Sequence, residues 1–421
     1  MGKREEGWQE VTRRDGITSF ARVATWLSFC ALTVMHCAPE LGDAPFACSE
    51  GGLCPADYEC VSDVCVPTGD RPSEVRAMRL TWINSGEMYW FANEAGGVSL
   101  VVNDGFTPSL RGLYEIDLGT DGSVGAPRLI LDFAEDYPTA TAVVSLDDAN
   151  YGVVSMRFPA VDESAQTLRF TRVPKKSGTA EVLFEGKVPF VGGTEPAYVS
   201  ALARNGKVDV CFSDATDGGQ LTLLRLDESG TEERRLSLGL PLGVLPLSGD
   251  CHLWEGQDEL FVRIGLAAPI VYRIADTALM ETDIEAPIAI EGLPVFADQA
   301  GLLAVSADAN GSATLQRFGW SADQEDSIPI GVLPETLELH TAVRSPDGAL
   351  LLAPTSQESG FADLAVLDLA DASPSTSISV ARSGSDEIYS GRAFTAGGRT
   401  YLAWTALHED LMDLWIASAA E

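Results

Sequence analysis

Positive charge is scarce in this chain: lysine and arginine together number 28 against 62 aspartates and glutamates, for a formal net charge of −34. A field of that sign repels phosphate backbones and anionic lipid, and no basic stripe opposes it, so nucleic acid is excluded as a partner. Calcium, cationic polymers and basic proteins stay compatible with it. Histidine is scarcer still, with four in 421 residues, and His252, His340 and His408 lie far apart with no metal-type pair among them. There is no Gly-x-Ser-x-Gly elbow, phosphate loop or dinucleotide fingerprint. Few stretches hold a helical period. No catalytic constellation emerges, and no catalytic residue is assigned.

What is present begins with an address. Lys3, Arg4, Arg13, Arg14 and Arg22 precede an apolar run from Val23 to Met35. A basic region followed by roughly 7–15 apolar residues describes a secretory signal, and the run falls short of the ~20 that span a membrane. Hydrophobicity stops at His36, Cys37, Ala38 and Pro39. A cysteine just beyond an apolar run resembles the lipidation site of bacterial lipoproteins, which implies Cys37 as an acylated mature N-terminus. His36 departs from the small residue that family places before its cysteine, and ordinary cleavage near Ala38 is the competing fate. Both fates place the protein outside the cytoplasm, as an outer-membrane lipoprotein, a periplasmic protein or a secreted one. Membrane contact is expected only through such a lipid.

Cys48, Cys54, Cys60 and Cys65 follow within eighteen residues, spaced C-x5-C-x5-C-x4-C. A segment this short cannot bury a core, so two cross-links must hold it, with three pairings open. Zinc sites favour closer pairs and reduced thiolates, which the expected compartment opposes. Gly52-Leu53-Cys54-Pro55, Tyr58-Glu59-Cys60 and Val64-Cys65-Val66 resemble a short cysteine-rich repeat found behind signal peptides of bacterial surface proteins. They are also similar to the N-terminal module of dickkopf-like proteins. The resemblance covers these eighteen residues and implies an interaction module or stalk.

After the linker Pro67 to Pro72 the texture changes to short apolar runs such as Val98 to Val102, Leu221 to Leu226 and Leu364 to Leu367, broken by Gly, Asp, Asn and Pro. A turn followed by a strand recurs seven times, beginning at Gly86, Asn150, Gly206, Asp258, Gly301, Gly348 and Gly398, roughly forty to sixty residues apart. This spacing predicts an all-β fold, a β-propeller of seven blades, with six or eight as alternatives and a pair of β-sandwiches as the competing architecture. The last unit ends incomplete, so a strand from the region Val66 to Arg76 is expected to complete its sheet. Gly397-Gly398-Arg399-Thr400-Tyr401-Leu402-Ala403-Trp404 resembles one unit of sialidase-like exported propellers. Such chemistry needs a tyrosine nucleophile, an arginine cluster and assisting carboxylates, and that family's repeated aspartate box is absent. The chain thus reads as signal 1–36, spacer 37–47, disulfide module 48–66, linker 67–73 and propeller 74–421.

Within the propeller, Cys211 and Cys251 fall in adjacent units and are expected to pair. Two loops carry alternating oxygen ligands before glycine: Asp214 and Asp217 in one, Asp308 and Asn310 in the other. They are the calcium candidates, with plain hairpin turns as the alternative, and no other cofactor is expected. Trp82, Trp90, Trp254, Trp320, Trp404 and Trp415 suit packing between sheets better than a stacking surface. The expected function is a monomeric, non-catalytic interaction module for a protein or glycan ligand. The alternative is a glycan-directed hydrolase with two carboxylates roughly 5–10 Å apart at the propeller mouth. Mass spectrometry of the exported protein is expected to find residues 1–36 removed. Non-reduced peptide mapping of it should find Cys48, Cys54, Cys60, Cys65, Cys211 and Cys251 oxidised, and six free thiols would defeat the export reading.

Overall fold

In the computed structural model the chain divides into a unit of residues 1–44 and one of residues 45–421. The structure describes residues 46–47, 58–61, 64–67, 76–80 and most of 87–420, the exceptions falling in connections between strands. The described residues contain no helix. Seven four-stranded antiparallel sheets follow one another, each with its strands in chain order except the last. They are the blades of a seven-bladed β-propeller.

Blade 1 comprises Met88–Ala92, Val98–Asp104, Gly112–Leu118 and Arg128–Asp132, and blade 2 Ala140–Ser145, Asn150–Arg157, Ala165–Pro174 and Glu181–Pro189. Blade 3 runs Val199–Arg204, Lys207–Asp214, Gln220–Asp227 and Glu232–Leu238, and blade 4 Cys251–Glu255, Glu259–Ile264, Ile270–Ala275 and Ile288–Ala289. Blade 5 is Leu293–Asp298, Gly301–Ala307, Ser312–Phe318 and Gln324–Val332; blade 6 is Val343–Ser345, Gly348–Glu358, Phe361–Asp368 and Ser373–Ala381. Blade 7 takes Glu387–Thr395, Arg399–His408 and Leu411–Ala420 from the chain's end and Arg76–Leu80 from before blade 1. That strand pairs antiparallel with the last one, Arg76 opposite Ser418 and Leu80 opposite Leu414. The ring is closed by joining the two flanks of the propeller, which removes an open sheet edge.

Burial explains why these stretches become strands in this order. First strands of successive blades touch across most junctions and so line the axis. Second strands are covered on both faces: all seven residues of Val98–Asp104 are buried, as are Tyr151 to Met156. Outer strands face solvent, as the charged Glu232–Leu238 and Arg128–Asp132 show. Six of the seven recurring turns open a second strand, where two-sided burial demands the longest apolar run. The exception is Gly86, which precedes the first strand of blade 1; its counterpart is Gly97, directly before Val98. Two of these turns need glycine. Asn205 and Gly206 form a two-residue hairpin with φ of 50° and 73°, and a Cβ on Gly301 would overlap the Phe318 carbonyl.

The core is therefore divided between blades. One cluster joins Trp90, Leu100 and Ile116 of blade 1 to Phe394, Tyr401 and Ile416 of blade 7. Another joins Cys211 and Leu223 of blade 3 to Leu253 and Val262 of blade 4. Trp404 and Trp415 face each other in blade 7 and stack at 6.0 Å. Trp90, Trp254, Trp404 and Trp415 are all buried, and Trp320 stacks on Phe261, so these indoles pack. Trp82 lies outside the described residues.

Arginines sew the blade junctions at backbone carbonyls of the neighbouring blade. Arg128 bonds the carbonyls of Lys175 and Lys176, Arg172 that of Glu228, and Arg204 that of Glu259. Arg263 bonds the carbonyl of Pro294, Arg317 that of Leu369, and Arg399 that of Thr120. The junction of blades 6 and 7 is bridged by the Ser345 and Thr395 hydroxyls, 2.7 Å apart. A guanidinium carries five donors on a rigid fork, so one side chain satisfies a turn carbonyl and its own carboxylate partner together. Blade 3 shows this most fully. Asp209, wholly buried, accepts from Arg204 Nε at 3.2 Å and from Arg225 Nε at 2.7 Å, with both arginine side chains under 5% exposed.

Removing one partner from a buried charge cluster typically costs ~3–5 kcal/mol, whereas an exposed pair contributes ~0–1 kcal/mol. Urea unfolding should show Asp209→Ala losing stability in the first range, because both guanidinium groups share that carboxylate. Glu185→Ala, which breaks the half-exposed Arg169–Glu185 pair, should stay in the second. Equal losses would mean that the buried cluster contributes no more than a surface pair.

Candidate functional site

The sites anticipated from sequence are dispersed. Asp214 ends the second strand of blade 3, and Asp217, Asp308 and Asn310 lie outside the described residues. Among the described residues no group of three or more histidine, cysteine or acidic side chains could hold a metal. Cys37, Cys48 and Cys54 lie outside the described residues. Cys60 and Cys65 oppose each other in the hairpin of Tyr58–Val61 with Val64–Pro67, to which Phe46–Ala47 adds a third strand. Cys211 and Cys251 are joined in a disulfide, Cα atoms 6.2 Å apart, from the second strand of blade 3 to the first of blade 4. His252 packs edge-on against Trp254, and His340 lies outside the described residues.

A cleft of about 890 Å³ opens between blades 1 and 2, where the turns after first and third strands converge. Its floor comes from strand interiors. Tyr151, on the second strand of blade 2, donates its phenol proton to Glu115 Oε1 at 2.6 Å, and Glu115 lies on the third strand of blade 1. The other oxygen of Glu115 pairs with Arg128, the arginine that also holds the blade 2 turn. Beside them Ser99 donates to Asp117 Oδ1 at 2.6 Å. Ser99, Glu115 and Tyr151 are buried, while Asp117 is exposed on the blade 1 wall.

The walls differ in character. Blade 1 presents Asp117 and Asp121, and the Asp121 carboxyl is held below the usual range by hydrogen bonds from the Ser123 hydroxyl and backbone. Blade 2 presents Lys175 and Lys176 with Asp148. The Lys175 ammonium sits 5.0 Å from the Tyr151 ring centroid and donates to Ser145 Oγ at 2.8 Å. Burial lowers its pKa, against the opposing pull of Asp148, Asp147, Glu115 and Glu94. At the rim Lys176 reaches Glu94 of blade 1 at 2.9 Å, an exposed pair that crosses between the walls. Tyr151 is pushed up strongly by burial, then by its bond to Glu115 and that carboxylate's charge. The phenol is thus a neutral donor, fixed in direction.

Sequence reasoning singled out none of these residues as a site, since they come from two blades and stand up to 82 positions apart, as Glu94 and Lys176 do. One signal was available: Lys175-Lys176 is the only lysine pair in a chain poor in positive charge.

No protein-family model matches the chain, and no curated protein matches it. Among solved structures it is similar to a subtype N10 neuraminidase-like protein of A/little yellow-shouldered bat/Guatemala/060/2010. The identity is 11% and the TM-score 0.43, over 83% of this chain and 99% of that one. It is similar also to Trypanosoma rangeli sialidase in complex with the inhibitor DANA, at 10% identity and TM-score 0.43, over 81% of this chain and 59% of that one. At such overlap the propeller rests on its own strand order.

Tyr89, whose phenol donates to the Thr141 carbonyl across the same junction, is raised like Tyr151, by burial and then by Glu87. For both, the folded pKa exceeds the unfolded value near 10, so their stabilisation is complete below pH ~10 and is lost as pH rises through the folded value. Ultraviolet titration should find these phenols ionising only as the chain unfolds, and Tyr151→Phe should remove one of them. Reversible ionisation of every tyrosine near pH 10 in folded protein would contradict the described burial.

Proposed function

We propose that the chain is a non-catalytic, extracytoplasmic interaction module in which the propeller recognises its ligand through the cleft between blades 1 and 2. The observation that carries this reading is the occupation of Glu115. One oxygen holds Tyr151 and the other holds Arg128, so the innermost carboxylate of the cleft knits two blades together and has no oxygen open toward a substrate. A general acid needs a proton to give and a free line to the leaving oxygen. A binding cleft needs rigid walls with exposed groups above a satisfied floor. The Cys211–Cys251 disulfide supports an oxidising compartment, as does the N-terminal basic and apolar pattern. Attachment through an acylated Cys37 belongs to the same proposal.

The second reading, a glycan-directed hydrolase, has one observation in its favour: a tyrosine and a glutamate are hydrogen-bonded at the base of a cleft. Against it stands the direction of the Tyr151 shift, since a phenol raised by burial resists becoming the nucleophile. A panel of fluorogenic glycosides separates the two. The purified protein should release no fluorophore above a heat-denatured control. Turnover that Tyr151→Phe or Glu115→Gln abolishes would replace the binding reading with the hydrolytic one.

A further inference from the structure

We infer that the cleft between blades 1 and 2 takes an uncharged, polyhydroxylated ligand of saccharide type, laid between an acceptor wall and a donor wall. The inference rests on the cleft being the recognition site and concerns what that site selects. On the blade 1 wall, Asp117 and Asp121 each have one oxygen anchored by a serine, Ser99 and Ser123 respectively. Their second oxygens are left as acceptors of fixed direction. On the blade 2 wall, the Lys175 ammonium is held by Ser145 Oγ and over the Tyr151 ring, which fixes a three-donor group among the lining residues of the cleft.

Charge decides between ligand classes. An anion could meet Lys175 and Lys176, but it would face Asp117, Asp121 and Asp148 at the same moment and enter against a protein of net charge −34. An organic cation suits the acidic side groups and is opposed by both lysines. A metal ion lacks a ligand set among the described residues. A hydroxyl both donates and accepts, so a run of hydroxyls satisfies the two walls without leaving either charge facing its like. The buried floor supports this, because Tyr151 is bonded to Glu115, Glu115 also to Arg128, and Ser99 to Asp117, so the floor asks nothing of the ligand. The Lys176–Glu94 pair lies over the rim and is of the exposed kind that opens at little cost. Entry of a neutral chain then displaces one weak ion pair.

The test is calorimetric titration of the full exported protein with three kinds of probe: neutral hexasaccharides of glucose, mannose and N-acetylglucosamine; hexalysine; and trigalacturonate. A neutral hexasaccharide is expected to bind with an affinity that changes less than about twofold between low and high salt, because no ion pair with the ligand is screened. Binding should weaken about tenfold in Asp117→Ala, the loss of an oriented hydrogen bond to a charged group. Asp121→Ala, at the exposed second acceptor of the same wall, should weaken it too and keeps the test decisive if Asp117→Ala fails to fold. Hexalysine or trigalacturonate binding in place of the neutral probes, steeply salt-dependent and lost in the same variants, would overturn the ligand class while leaving the cleft as the recognition site. Binding that ignores both substitutions, or no binding of any probe, would overturn the site and the ligand class together.

Discussion

Everything in this molecule depends on the need of each small sheet to have both faces covered. A four-stranded sheet whose second strand is buried on both sides, as in Val98–Asp104, cannot be stable alone, and only equivalent sheets on either side satisfy it. Stacking them puts turn carbonyls of one blade beside the strands of the next. In those places polar groups lose water, and the arginines meet that cost: Arg172, Arg204, Arg263, Arg317 and Arg399 each spend a donor on a neighbour's backbone. A chain with few cations thus commits many of them to junctions, and the surface is left with the acids.

The same constraint decides what could be read from residues alone. The second strands were legible because two-sided burial produces long apolar runs behind a turn. Their recurrence pointed to seven blades with six or eight still open, and the seven observed sheets decide the count. The start at Gly86 misled because Met88–Ala92, with Trp90 and the partly buried Tyr89 and Phe91, imitates a second strand. Outer strands were nearly illegible, since Glu232–Leu238 carries the composition of a loop and becomes a strand only through pairing with Gln220–Asp227. Closure by a strand from ahead of the first blade was foreseeable from the incomplete last unit, but the strand that supplies it, Arg76–Leu80, begins where the expected region Val66 to Arg76 ends.

Apart from the Lys175-Lys176 pair, nothing in the chain marked the cleft. Its floor joins Glu115 to Tyr151 across a junction, and neither residue stands in a motif; Tyr151 read only as part of an apolar strand. Its walls come from turns, where acidic residues are ordinary and carry no signal in a chain with 62 of them. What sets the place apart is two walls of different character, carboxylates on blade 1 and two ammonium groups beside Asp148 on blade 2, over a floor that is already satisfied. Such an arrangement is a property of adjacency between blades, and spacing along the chain does not encode it.

The way the ring is fastened carries a consequence for its making and its load. The strand that seals blade 7 is synthesised before any blade, and its partner, Leu411–Ala420, is the last element to arrive. The growing chain therefore carries an unmated ribbon until the ten-residue strand Leu411–Ala420 follows it. Once sealed, any tension on the cysteine-bearing N-terminal segment is borne lengthwise by the rungs between Arg76–Leu80 and Leu414–Ser418.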